Sequence, residues 1–278
     1  MIDRRTFLAT GAALALLPSV SRAQSARIDL KAVIRQGELI VGKAAPGAAI
    51  RFDEKRIPLS QDGTFAFGLP YDQKKTSILD VRYADGSTER REITPSLREY
   101  EIQRLSGLPE SLVTPPAETL ERIKRERAAV IEARERMTDG SWFAGGFDWP
   151  VPGIVSSLFG SQRILNGEPR APHLAVDIAA PTGTPIHAPA EGIVSFTGDL
   201  YFDGLFTMLD HGMGVSTCYA HQSKQLVGIG DRVARGQVLG EVGRTGRVTG
   251  PNLHWGLNWF QIGLDPSLST SAPKPPNG

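Results

Sequence analysis

The sequence predicts a mainly β protein, and three observations carry that prediction. Thirty glycines and twenty prolines, with no Gly-x-y period, supply turns for many short strands. Apolar and polar residues alternate in short runs on both sides of residues 96–143. The one clear helical pattern lies between those two stretches. A chain of 278 residues with 40% hydrophobic and 22% charged residues has room for two modest domains, and its composition is neither disordered nor that of a membrane bundle. A formal net charge of +1 leaves no excess to attract nucleic acid or anionic lipid, so neither is expected as a partner.

Residues 1–23 read as an export signal. Arg4 and Arg5 precede an apolar run from Ala9 to Val20, and Ser21-Arg22-Ala23 offers small residues where a signal peptidase cuts. The arginine pair resembles the twin-arginine signal, with Asp3 where that pattern usually has Ser or Thr. The run falls well short of the roughly 20 residues that span a bilayer, so cleavage after Ala23 is expected, with no transmembrane segment in the mature chain. A periplasmic or otherwise extracytoplasmic location follows. Cys218 is the single cysteine and cannot close an intramolecular disulfide.

Residues 27–95 alternate between turn signals. Ile50 and Phe52 follow Pro46-Gly47, Phe65, Phe67 and Leu69 follow Asp62-Gly63, and Leu79, Val81 and Tyr83 precede Asp85-Gly86. Hairpins of this kind predict a small immunoglobulin-like β-sandwich, by fold analogy. No His, Asp or Glu cluster at ligand spacing occurs there, so it reads as a binding or spacer module. In the helical linker, 96–143, Thr114-Pro115-Pro116 offers an N-cap with proline at the first helical position, and Asp139-Gly140 offers the stop. Leu120, Ile123, Val130, Ile131 and Met137 form a narrow apolar stripe, and nearly balanced charges clothe the rest. A solvated helix packed on its neighbours is expected.

Residues 144–270 return to short strands, including Gly192 to Thr197, Phe206 to Leu209 and Val215 to His221, and 271–278 read as a flexible tail. All five histidines of the chain lie between 173 and 254. If extended, His173-Leu-Ala-Val-Asp177 sends both end side chains from one face. Asn252 and His254 likewise share a face, with Leu253, Trp255 and Leu257 opposite. Two imidazoles and one carboxylate suit Zn²⁺, whose catalytic sites hold three protein ligands and leave a fourth position to water. Spacing alone leaves turn or surface roles equally open for these residues.

Their surroundings add to this. Phe159-Gly160, His173 to Asp177, Ala188-Pro-Ala-Glu-Gly192, Asp210-His-Gly212, Tyr219-Ala-His221, Gly236-Gln237 and Thr245 to Trp255 occur in one order. That order resembles the LytM/lysostaphin endopeptidase domain over roughly residues 148–268. The resemblance implies an antiparallel β core and a zinc ion held at His173, Asp177 and His254. It also implies hydrolysis of peptide bonds in peptidoglycan stems or cross-bridges, with His221 handling protons beside the metal.

Asn252 departs from the pattern, standing where the family has a second catalytic histidine. An amide can orient a water or donate to an oxyanion, but it cannot exchange a proton near neutral pH. General acid–base assistance is worth about 10²–10⁴-fold, so two readings stay open: a slow endopeptidase, or a non-catalytic wall-binding regulator that activates another wall hydrolase. Ala175 replaces the usual glycine between the first two ligands. His187 and His211 sit at turn signals and read as structural. Trp255 and Trp259 read as packing residues. By strand alternation Tyr219 and His221 are expected to face the cleft, with Cys218 and Ala220 facing away and Cys218 buried.

Overall fold

The computed structural model describes residues 27–271; the predicted signal peptide, and the predicted tail beyond Ser271, lie outside the described residues. Seven strands come first: β1 (Ile28–Asp29), β2 (Leu39–Ala44), β3 (Ala49–Phe52), β4 (Lys55–Ile57), β5 (Thr64–Gly68), β6 (Ser77–Arg82) and β7 (Thr88–Ile93). They form a three-stranded sheet, β1-β2-β5, and a four-stranded sheet, β4-β3-β6-β7, with every pairing antiparallel. The alternation places Ile50, Phe52, Leu79 and Val81 from one sheet against Ile40, Phe65 and Phe67 from the other, all buried. The Phe52 and Phe67 rings stack at 4.4 Å between the sheets. Gly47, Gly63 and Gly86 all take positive φ in the predicted turns, a conformation that glycine adopts without steric cost.

β5 departs from simple alternation, because all five of its residues are buried. Its outer face docks on the C-terminal half. A Cβ on Gly68 would come within 2.8 Å of the Leu264 side chain, so a larger residue there would push the halves apart. Arg98 pairs with the buried Asp265 at 2.7 Å across the same junction.

The linker contributes β8 (Ile102–Leu105), α1 (Glu110–Val113) and α2 (Ala117–Arg134). α2 begins later than predicted: Ala117 is its first residue, Pro116 is the cap residue rather than the first helical one, and Thr114 provides no side-chain cap. It ends at Arg134, before the expected Asp139-Gly140 stop. The predicted apolar stripe is only partly used: of it Val130 packs, beside Ala133 from outside the stripe, on Leu200, Phe206, Met208, Cys218 and Ala220, while Leu120, Ile131 and Met137 remain exposed. A helix whose stripe is this narrow adds one thin contact to the sheet.

The C-terminal half holds β9 (Ile154–Ser157), β10 (Gln162–Leu165), β11 (Glu168–Pro169), β12 (Val176–Ala179), β13 (Pro185–His187), β14 (Gly192–Leu200), β15 (Gly204–Asp210), β16 (Val215–Gln225), β17 (Arg232–Val233), β18 (Val238–Val242), β19 (Asn252–Trp259) and β20 (Ile262–Leu264). Ten of these form one antiparallel sheet whose long path runs β17-β14-β15-β16-β19-β12-β9. Tyr219, Leu253, Trp255 and Leu257 fill its main core. The strand β8 of the linker pairs in parallel with β10, so the linker is stitched onto the C-terminal half. Among the described residues no helix is long and apolar enough to cross a membrane.

His211 is fully buried between the Glu191 carbonyl and the Thr217 hydroxyl, each 2.7 Å from a ring nitrogen. Burial pushes its pKa down to about 4. The folded value lies below the unfolded value of about 6.5, so the stabilisation is complete above that pH and is lost as pH falls toward 4. A shift of that size corresponds to about 3 kcal/mol. Urea unfolding followed from pH 7 to pH 4.5 should therefore show a smaller acid loss in His211→Asn than in the native protein; parallel curves would refute this role.

Candidate active site

Asp177 in β12 and His254 in β19 are directly opposed in the antiparallel ladder. Opposed residues leave a sheet on the same face, and here Asp177 Oδ1 lies 2.9 Å from His254 Nδ1. The single extended strand expected from His173 to Asp177 is shorter than predicted, since β12 begins only at Val176. His173 arrives instead from the preceding loop, whose backbone is bonded to Gly160 at 2.7 Å and Ser161 at 2.9 Å. Its Nε2 reaches 3.1 Å from Asp177 Oδ1 and 3.0 Å from His254 Nδ1. Three atoms able to ligate a metal thus form a compact triangle.

The surroundings set the protonation of this triangle. The Ser157 hydroxyl donates to Gln103 Oε1 at 2.9 Å, which turns its lone pairs toward His173 Nδ1, also at 2.9 Å. That nitrogen then carries the ring proton, and Nε2 presents its lone pair to the triangle. Arg163 Nη2 donates to Asp177 Oδ2 at 2.6 Å, which leaves Oδ1 to the imidazoles. Burial pushes the Asp177 carboxyl up, but His173 and His254 outweigh it and hold its pKa well below the usual carboxylate range. Burial lowers the pKa of His173 to about 4. At neutral pH Asp177 is therefore ionised and His173 neutral, the forms that bind metal.

His221 reaches the same cavity by a different route. In the ladder Thr207 faces Tyr219 and Leu205 faces Gln222, so three steps on β16 oppose two on β15. The extra residue makes a bulge, and His221 takes φ +65°, a left-handed conformation uncommon outside glycine. Its Nδ1 donates to the Thr245 carbonyl at 2.9 Å, so Nε2 carries a free lone pair. The ring centroid is 5.8 Å from that of His254. Burial, reinforced by His254, lowers its pKa to about 4.

The bulge overturns the expectation for its neighbours. Tyr219 is opposite Trp255 and points into the main core, where its hydroxyl meets Thr217 at 2.7 Å. Ala220 is opposite His254 and Cys218 opposite Gly256, so both lie on the face that carries the site, under α2. Strict alternation would have put His221 in the core with Tyr219; the left-handed residue reverses that. Cys218 is buried as expected, and burial raises its thiol pKa to about 11.

Asn252 lines a cavity of about 170 Å³ with Asp177, His221, Gln103 and Arg247. Its Oδ1 is buried and has no hydrogen-bond partner among the described residues. His187 bonds the Gly236 carbonyl at 2.9 Å, apart from the cluster, and Trp255 and Trp259 are packed in the core. Sequence reasoning missed Arg163, Ser157, Gln103 and Thr245. Arg163 follows the Phe159-Gly160 motif closely enough to have been tested as a partner for Asp177. Gln103 could not have been found, because only the parallel β8–β10 pairing brings the linker to the site.

Peptidase family M23 matches residues 171–266. Peptidoglycan DD-endopeptidase ShyA of Vibrio cholerae serotype O1 is 42% identical over 104 residues, which are 37% of this chain and 24% of ShyA. DD-carboxypeptidase/endopeptidase Mpg of Neisseria meningitidis serogroup B is 46% identical over 83 residues, 30% of this chain and 19% of Mpg. The chain thus matches about a quarter or less of the length of these curated relatives. A crystal structure from Pseudomonas aeruginosa, assigned to peptidase M23, is 31% identical with a TM-score of 0.66, covering 84% of this chain and 93% of its own. Likeness over nearly the whole of that second chain, beyond the 171–266 segment alone, places this chain in peptidase family M23.

Proposed function

We propose that this protein is a zinc-dependent endopeptidase that hydrolyses peptide bonds of peptidoglycan, in stem or cross-bridge peptides, outside the cytoplasm. The observation that carries the reading is the triangle of His173 Nε2, Asp177 Oδ1 and His254 Nδ1, with all three edges at 2.9–3.1 Å. Two imidazole nitrogens and a carboxylate oxygen, converging in one compact group, are the donor set that fits Zn²⁺. The names of the relatives ShyA and Mpg, both endopeptidases, support the substrate class. The predicted export signal supports the location.

Bound zinc would supply Lewis acidity toward the scissile carbonyl and the attacking water. The chain's own residues do the rest. His221, held by Thr245 with Nε2 free, takes the proton from water. Arg163 and Ser157 keep Asp177 and His173 aimed and in their ligating forms. Asn252 lies two residues before His254 and can orient a polar group in the cavity without relaying a proton. That restriction favours a slow enzyme, and it is the observation that would favour the second reading, a non-catalytic regulator of another wall hydrolase.

Elemental analysis of the native protein supplied with zinc should find about one ion per chain, and His254→Ala should hold far less; equal contents would remove the ligand assignment. Purified peptidoglycan incubated with the zinc-loaded protein should release new peptide ends, seen by mass spectrometry, that a chelator abolishes. Native protein producing no such ends while retaining zinc would favour the regulator. His221→Ala should lower the hydrolysis rate by about 10²-fold or more. Asn252→His should raise it at unchanged zinc content, by restoring a titratable group; a lower or unchanged rate would mean that the domain relies on the amide.

A further inference from the structure

A second cavity, of about 310 Å³, opens beside the triangle and is lined by His173, His221 and His254 together with Arg163, Arg170 and Arg247. The three guanidinium groups are not equivalent. Arg163 is committed to Asp177 at 2.6 Å. Arg170 and Arg247 form no ion pair with any carboxylate among the described residues. Asp203 is the one carboxylate on that cavity wall, and it forms no ion pair among the described residues, so the two cations outnumber it.

What Arg170 and Arg247 do bind is neutral. Arg247 Nη1 donates to the Leu112 carbonyl at 3.3 Å, and Arg170 Nη2 to the Val113 carbonyl at 3.1 Å. Arg170 Nη1 is 3.5 Å from the Pro169 carbonyl, and its Nε is buried without a partner among the described residues. The Arg247 guanidinium lies over the Phe202 ring at 4.4 Å, which fixes its plane. Burial, together with repulsion from Arg163 and Arg170 and against the pull of Asp203, holds the Arg247 pKa below its ordinary value. Each guanidinium has five donors, and charge is not needed to hold one peptide carbonyl. A carboxylate would pair with such forks in charge-assisted bonds roughly twice as strong as neutral ones.

We propose that Arg170 and Arg247 form a subsite for a free carboxylate of the peptide substrate beside the scissile bond, a place filled in this structure by the Leu112 and Val113 carbonyls. The proposal rests on the endopeptidase reading for its substrate class, yet it concerns binding and can be measured without turnover. A stem peptide purified from peptidoglycan, and the same peptide with every carboxylate converted to carboxamide, are titrated calorimetrically into the zinc-loaded full chain. The acid peptide should bind about 10- to 100-fold more tightly than the amide. The double variant Arg170→Gln, Arg247→Gln should lose that preference by weakening the acid peptide alone, and Arg247→Lys should keep part of it. Thermal unfolding and zinc content of each variant establish that fold and metal are intact. Equal binding of the two peptides by the native protein, or binding of neither, overturns the subsite. Survival of the preference in the double variant does the same. If the arginines only tether the linker, the double variant will bind both peptides as well as or better than the native protein, which also overturns it. Discrimination without hydrolysis contradicts the endopeptidase reading alone, whereas hydrolysis without discrimination contradicts the subsite alone.

Discussion

The register that sets Asp177 opposite His254 is the constraint on which the site depends. Because side chains alternate along a strand, a slip of β12 by one residue against β19 would turn Asp177 toward the core and Val176 and Ile178 out of it, parting Asp177 from His254. The register is held by burial. Val176, Ile178, Leu253, Trp255 and Leu257 are all at most 1% exposed, so a slip would expose several large apolar side chains at once. Fully burying a side chain of this kind is worth about 1.5–3 kcal/mol, and the core thereby pins two ligands that it never touches. The third ligand, His173, sits on a loop and is fixed by backbone bonds to Gly160 and Ser161 and by the Ser157 hydroxyl.

The other essential feature is a local violation of that regularity. A left-handed backbone at a residue other than glycine costs of order 1–3 kcal/mol and persists only where the surroundings over-determine it. At His221 the surroundings are the Asp203 carbonyl, bonded to its N–H at 2.8 Å, and the Thr245 carbonyl, bonded to its ring at 2.9 Å. The strain changes sides for one residue only. His221 leaves the core alternation and enters the cavity, while Tyr219 stays with Trp255.

Much of this was legible in the sequence. Period-two alternation between Gly-containing turns identified the strands of both halves; the spacings His173 to Asp177 and Asn252 to His254 only raised a candidate, and it was the ordered motifs around them, resembling the LytM/lysostaphin domain, that implied one cluster. What was not legible depends on partners far apart in the chain. Tyr219 and Cys218 were assigned to the wrong faces because a bulge leaves no periodic trace. The full burial of β5 follows from docking on Leu264, and the linker's place beside the cleft follows from its parallel pairing with β10. The exposure of Leu120, Ile131 and Met137 reflects a stripe too narrow to reach the sheet along its whole length.

Every role proposed for the site's residues requires a metal at the triangle. The most direct measurement is anomalous diffraction at the zinc edge from crystals grown with zinc. The predicted result is one strong peak within bonding distance of His173 Nε2, Asp177 Oδ1 and His254 Nδ1, with His221 and Asn252 nearby but not ligating. A peak elsewhere, or none with the three side chains still in mutual contact, would contradict it.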